Sequence, residues 1–261
     1  MAAYGPDPGA PTGLWRLVRG GLRLALAWTV VAVGVSLAIV VALLTLRIRS
    51  EAWFHLVARG IGRTVLRLGG IRLRVVNGER LAGRRTRILA INHSSQLDML
   101  VFGAIMPPYG TALVKREFLF VPFFGWAFVV FKLLVVDRGD REKAKRSVAR
   151  AARRLREQRA TVFIAPEGTR SRDGTLGPFK MGLFHLAAEV HVPIVPAIIR
   201  GAAECQPLGT YIPSPGTVEI ELLPEVPTDD YREDNLHEKR DELRALFLRE
   251  LGASDSLGER A

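Results

Sequence analysis

The feature that most constrains this chain is a stretch without a single charge. Leu24 to Leu46 is 23 residues long and holds no Asp, Glu, Lys or Arg. At about 1.5 Å per residue a helix of that length reaches roughly 34 Å, enough to cross a hydrocarbon core of about 30 Å. Arg16, Arg19 and Arg23 precede it, and Arg47 and Arg49 follow it. A cleaved signal peptide has a shorter apolar region, about 7–15 residues, and a small-x-small cleavage site, which does not follow here. The stretch therefore reads as a retained spanning helix over 24–46, after a loose basic tail over 1–23. Arginines are more numerous after it (47, 49, 59, 63 and 67) than before it. The positive-inside rule then places the C-terminal body in the cytoplasm, against a cell membrane expected to be the inner one.

Residues 52–68 read as a second helix. Arg59, Arg63 and Arg67 recur every four positions, and Trp53 and Phe54 lie at one end. A basic stripe with aromatics suits a helix lying in the membrane interface. A helix packed on the soluble body has the same pattern, and the sequence leaves both readings open. With the spanning helix, this segment makes a membrane anchor over 24–68.

From residue 69 to 251 short apolar runs alternate with helical patterns. Strands are expected at 71–75, 87–91, 112–114, 133–136, 161–165, 194–199 and 218–222, and helices at 141–158, 182–189 and 235–251. Such alternation predicts an α/β domain with a mixed, largely parallel sheet flanked by helices. Residues 252–261 read as a frayed tail.

The chain carries 37 Lys and Arg against 26 Asp and Glu, a net charge of +11. Its mean hydropathy is nevertheless +0.15. That combination excludes a disordered or low-complexity chain. One cysteine, Cys205, excludes an internal disulfide framework and a four-thiolate metal site. Much of the excess charge lies between Arg138 and Arg159, where ten Lys or Arg face three acids. Such a segment suits anionic lipid headgroups or an acidic donor substrate, and equally an ordinary solvated helix face.

Polar motifs follow three of the expected strands. After 87–91 comes Asn92-His93-Ser94-Ser95-Gln96-Leu97-Asp98. A histidine past a strand end, with an aspartate five residues on, supplies a base and the group that orients it. After 133–136 come Asp137 and Arg138, and after 161–165 comes Pro166-Glu167-Gly168-Thr169-Arg170. Glycine permits close backbone approach, threonine brings a hydroxyl, and arginine offers a fork of donors for a phosphate. Ligands of α/β sheets bind beyond the carboxyl ends of strands, so three such motifs point to one site.

His93-x4-Asp98 followed by Pro166-Glu-Gly-Thr-Arg170 resembles the glycerolipid acyltransferase family, the PlsC-like 1-acylglycerol-3-phosphate acyltransferases. The likeness extends over roughly residues 50–225. Lys115 to Trp126, Val136-Asp137-Arg138, Phe179-Lys180-x-Gly182 and Val192-Pro-Ile-Val-Pro196 match further patterns of that family in order. Ala165 and Gln96 depart from it, standing where phenylalanine and an aromatic such as tryptophan are common. The resemblance implies transfer of a fatty acyl group from acyl-CoA or acyl carrier protein to the free hydroxyl of a lysophospholipid, 1-acylglycerol 3-phosphate, giving phosphatidic acid. Neither a metal nor another cofactor is implied, because a thioester already carries a good leaving group. His93 would be the base and Asp98 its support. Arg138, Arg170 and Lys115 would hold the acceptor phosphate. Glu167 would hold the loop or an acceptor hydroxyl, with Gly168 and Thr169 beside it. An amide near Gly168 or a cation would stabilise the oxyanion, and Val192 to Ile198 would line the acyl path.

Two other classes compete. A basic, membrane-tethered nucleic-acid-binding protein accounts for the charge but leaves the strand-end motifs unexplained. A hydrolase built on His93 and Asp98 must admit water where the acceptor hydroxyl sits. Within the acyltransferases, glycerol 3-phosphate, another lysophospholipid or a lyso-aminolipid are alternative acceptors. The expected partners are thus a lysophospholipid, the acyl donor and anionic membrane lipids, without nucleic acid.

Overall fold

The computed structural model of the chain describes residues 5–6, 13–45, 50–120, 124–131, 133–136, 141–170 and 175–258. In chain order the elements are β1 (Gly5–Pro6), α1 (Gly13–Leu44), α2 (Ser50–Leu68), β2 (Ile71–Val76), β3 (Arg87–Ile91), α3 (Leu97–Ile105), β4 (Gly110–Lys115), α4 (Phe124–Val130), β5 (Leu134–Val136), α5 (Arg141–Gln158), β6 (Thr161–Ile164), α6 (Gly182–Val190), β7 (Ile194–Arg200), α7 (Ala202–Cys205), β8 (Gly216–Leu222) and α8 (Leu236–Gly258). The strands form one sheet in the order β1-β8-β7-β3-β6-β4-β5, with β2 also paired to β8. β3, β4, β5, β6 and β7 run parallel to their neighbours on this path, whereas β7 and β8 are antiparallel. The mixed, largely parallel sheet is the one expected.

β3 and β6 are buried at every position, as short continuous apolar strands in the middle of a covered sheet must be. One face of the sheet carries α5, α6 and α8, with Leu155, Phe184 and Phe247 fully buried beneath them. The other face carries α3 and α2, over Leu89, Ile91, Val101, Ile105 and Phe163. Arg87 opens β3 with its side chain fully buried, a costly position for a charge. Its guanidinium donates to the carbonyls of Leu81 and Gly83 and to the Thr161 hydroxyl, so the loop before β3 is wrapped around it.

Two expected boundaries move. α1 starts at Gly13, so much of the expected loose tail is helix, and the arginines at 19 and 23 sit within it. Helix formation tolerates charge, and the end of an apolar run marks where lipid-compatible sequence stops rather than where the helix stops. α8 continues to Gly258, past the point where a frayed tail was expected. α2 packs on α3 and α1, the second of its two readings. A Cβ at Gly62 would lie 2.6 Å from the Ala104 nitrogen and 2.7 Å from the Leu100 carbonyl oxygen, so only glycine lets the two helices approach this closely. The basic stripe serves that contact: Arg59 donates to the Met106 carbonyl at 2.6 Å and Arg63 to the Ala104 carbonyl at 3.2 Å. These carbonyls lie at the C-terminal end of α3, where helices leave acceptors unpaired and favour cations.

α1 is a helix of 32 residues, long and apolar enough to cross a membrane. Val31, Val35, Ala38 and Ala42 form its buried face, at spacings of three and four, and pack with Phe131 and α2. Leu26, Val33, Leu37 and Leu44 remain exposed on the outside.

Candidate active site

The site is built where β3 ends. Asn92, the first residue past the strand, extends the ladder with its side chain. Its Nδ2 donates to the Ile199 carbonyl at 2.8 Å, and its Oδ1 accepts from the Ile199 N–H at 2.7 Å. The chain then turns into α3 through Ser95, whose hydroxyl donates to the Gln206 carbonyl at 2.9 Å. Asp98 falls in the first turn of α3, where the helix dipole favours an anion. It is fully buried, and its Oδ2 accepts from the N–H groups of Ser94 and Ser95, each at 2.8 Å. The same oxygen lies 2.8 Å from His93 Nδ1. With Nδ1 held by a carboxylate, Nε2 is the nitrogen left to take a proton from a hydroxyl. The five-residue spacing therefore has a local cause: the aspartate that caps the turn also holds the ring.

Glu167 joins the first motif to the third. It follows β6, is buried, and is bonded at both oxygens. Oε1 accepts from the His93 N–H at 2.9 Å and Oε2 from the Gly177 N–H at 2.8 Å. Burial pushes its carboxyl above the ordinary value, and the two N–H bonds oppose that push. Its expected role of holding an acceptor hydroxyl gives way to the other expected role, holding the loop, since both oxygens face main-chain donors. Gly168 has φ +75°, a left-handed conformation suited to glycine, and its N–H donates to the Ala165 carbonyl. That amide is committed to the turn, which leaves neighbouring amides or a cation for the expected oxyanion role.

Beside this frame lies a cavity of about 470 Å³. His93, Gln96 and Arg170 line it together with Leu24, Ala27 and Val31 of α1, Val65 and Leu66 of α2 and Leu97 and Leu100 of α3. Of the expected substrate-binding residues, the structure brings Arg170 there, beside the expected base His93. Thr169 is exposed and does not line the cavity. Lys115 ends β4, and its side chain lies outside the described residues, as does Arg138 entirely. The 192–198 segment, expected on the acyl path, belongs to the sheet instead. Val195, Ala197 and Ile198 are fully buried in β7, and the apolar wall is supplied by α1 and α2. In the basic segment, Arg153 pairs with Glu157 and Arg156 with Glu189, so part of that charge is balanced within the protein.

Gln206 and Gly177 lay outside the reading of the sequence. Gln206 lines the cavity, accepts from Ser95 and donates to the carbonyls of Thr210 and Tyr211. Neither belongs to a recognisable motif, and Gln206 lies 111 positions along the chain from the Ser95 it serves. Cys205 is buried, with its thiol pushed up to about 11 by burial, which suits a packing role.

Comparison with known proteins agrees with this arrangement. A family profile described as Acyltransferase matches residues 72–200. The chain is 32% identical over 195 residues to a 1-acyl-sn-glycerol-3-phosphate acyltransferase of Limnanthes douglasii, covering 74% of this chain and 68% of that one. It is 32% identical over 168 residues to the protein of the same name from Salmonella typhimurium, covering 64% and 68%. In fold it is similar to the 1-acyl-sn-glycerophosphate acyltransferase PlsC of Thermotoga maritima, with a TM-score of 0.74 at 21% identity over 91% of this chain and 98% of that one. With the histidine–aspartate pair and the Glu167 turn inside the matched span, the chain belongs to the acyltransferase family.

Proposed function

We propose that the protein is a membrane-associated O-acyltransferase that moves a fatty acyl group from acyl-CoA or acyl carrier protein to the free hydroxyl of 1-acylglycerol 3-phosphate, giving phosphatidic acid. The observation that carries this reading is the 2.8 Å contact of His93 Nδ1 with Asp98, at the edge of an apolar cavity that also holds Arg170. His93 Nε2 takes the proton as the acceptor oxygen attacks the thioester carbonyl. The tetrahedral oxyanion then collapses, the carbon–sulfur bond breaks, and the leaving thiolate is protonated from the imidazolium. A positioned base of this kind is worth about 10²–10⁴ in rate. Arg170 holds the acceptor phosphate, and the apolar wall takes an acyl chain. α1 sits in the membrane, the inner one of the cell, with the body on the cytoplasmic side; its exposed apolar face supports this reading.

The test is a screen of purified full-length protein against lysophosphatidate, glycerol 3-phosphate, other lysophospholipids and a lyso-aminolipid, with acyl-CoA and acyl carrier protein donors. Lysophosphatidate is expected to be the best acceptor. The His93→Ala variant is expected to lose about 10²-fold or more in transfer while keeping its thermal unfolding temperature. Near-normal transfer by that variant sinks the mechanism, and preference for another acceptor sinks the substrate assignment.

A further inference from the structure

The charged groups on a cavity wall decide what enters it. Among the described residues lining the 470 Å³ cavity, none is Asp or Glu. Arg170 comes from the body, whereas Arg19 and Arg23 come from α1, the helix read as the membrane anchor. Four residues apart on a helix, Arg19 and Arg23 share a face with their Cβ atoms about 5–6 Å apart. Like charges at that spacing repel, and no carboxylate among the described residues pairs with either. Their position is nevertheless fixed. A Cβ at Gly20, between them, would lie 2.5 Å from Ile212 Cγ2, so the helix is seated directly on the 211–213 loop. Further along α1 the wall turns apolar, through Leu24, Ala27 and Val31. From Arg19 to Val31 the helix rises about 18 Å. One cationic end and one apolar end, on one straight wall, is the outline of an amphiphile with a phosphate at its head.

We propose that Arg19 and Arg23 form a phosphate-binding subsite, contributed by α1 to the catalytic cavity. α1 is then part of the substrate site as well as an anchor. The inference rests on the acyl-transfer reading of His93. The ligand chemistry is a phosphate oxyanion, and it has two sources: the phosphomonoester of the acceptor, shared with Arg170, or the phosphates of the donor.

The experiment uses full-length protein in mixed micelles, wild type against an Arg19→Gln/Arg23→Gln double variant. KM and kcat are measured with lysophosphatidate and acyl-CoA varied in turn, and with monoacylglycerol as a phosphate-free acceptor. Loss of charged hydrogen bonds is expected to raise the KM of the phosphate-bearing substrate about tenfold or more, with kcat changing much less. A rise confined to lysophosphatidate identifies the acceptor as the source, and a rise confined to acyl-CoA identifies the donor. Arg19→Lys/Arg23→Lys is expected to restore part of the loss. Both KM values within twofold of wild type overturn the proposal, including when binding to anionic vesicles falls, which would assign the arginines to lipid headgroups. Binding is also read without turnover, as the thermal shift that lysophosphatidate or acyl-CoA gives to each protein. A ligand that stabilises wild type and the double variant equally overturns the subsite. A wild type that binds but transfers nothing overturns the acyl-transfer reading and leaves the subsite standing. If the double variant does not fold, Arg23→Gln alone is measured in the same way, with a rise of about threefold expected and no rise overturning the proposal.

Discussion

Replacing Glu167 with glutamine tests how the two motifs are joined. The buried carboxylate accepts one hydrogen bond from the His93 N–H and one from the Gly177 N–H. Glutamine keeps the shape but offers one acceptor oxygen, so its amide nitrogen must meet the second N–H, donor against donor. A buried N–H left without an acceptor costs about 1–3 kcal/mol. The titration of the wild type modifies this cost. Burial holds the Glu167 carboxyl above its ordinary value of 4.5, so the fold favours the protonated form. The wild type therefore has its full stability below the ordinary glutamate range and loses part of it as pH rises through the raised value. Glutamine does not titrate, so the gap between the two proteins is widest in acid and narrows toward neutral pH. At about 2–4 °C per kcal/mol for a body of this size, the variant is expected to unfold about 2–12 °C lower in mild acid. Thermal unfolding in detergent at several pH values measures this, beside steady-state kinetics. kcat is expected to fall, because the His93 main chain is released, while acceptor KM changes less than about twofold, the range of an untouched contact. A raised acceptor KM with kcat and unfolding temperature unchanged would show that the carboxylate meets substrate, and would refute the reasoning.

Arg170→Ala is expected to raise KM for lysophosphatidate about tenfold and to leave monoacylglycerol nearly unaffected; equal effects on both acceptors would remove Arg170 from the phosphate site. Gly62→Val forces a side chain into the α2–α3 contact, where a Cβ already meets Ala104 and Leu100 main chain at 2.6 and 2.7 Å. It should destabilise the protein by about 1–3 kcal/mol, read as a lower unfolding temperature; an unchanged temperature would mean that α2 is not fixed on α3. Deleting residues 1–49 should release the protein from vesicles and abolish transfer even in detergent, because α1 walls the cavity. A soluble, fully active truncation would show that α1 only anchors.

The strands from β2 onward were legible, β2 as an alternating apolar and basic run and the others as short apolar runs, and the sheet class followed from their alternation with helices; β1 at Gly5–Pro6 lay in the expected loose tail. β3 spans the residues expected, since β-branched and apolar side chains at 88–91 have no stable place but a covered sheet. His93 and Asp98 were legible as a pair because the turn from β3 into α3 brings them together, a local event. Glu167 was legible, with holding the loop as one of its two expected roles, but the donors it serves were not. Its partners are the main chain of His93 and Gly177, and main-chain donors leave no mark on side-chain identity. Arg59 and Arg63 left α2 open between lipid and protein for the same reason: the carbonyls they meet at Ala104 and Met106 are invisible in sequence. Arg19 and Arg23 were read as flanks of an apolar run, and only the fold shows that they line the same cavity as His93.

The seating of α1 on the 211–213 loop has a consequence for how the protein is made. Gly20 packs against Ile212, and Gly5 and Pro6 pair with Thr217 and Gly216. The partners come from opposite ends of the chain, so these contacts close one of the longest loops the molecule contains, and long-range closures form slowly. During synthesis α1 emerges first and must wait, its cavity face uncovered, until the residues after 205 leave the ribosome. The cavity lining runs along the chain from Arg19 to Pro215, so the cavity cannot close until that whole span has been made.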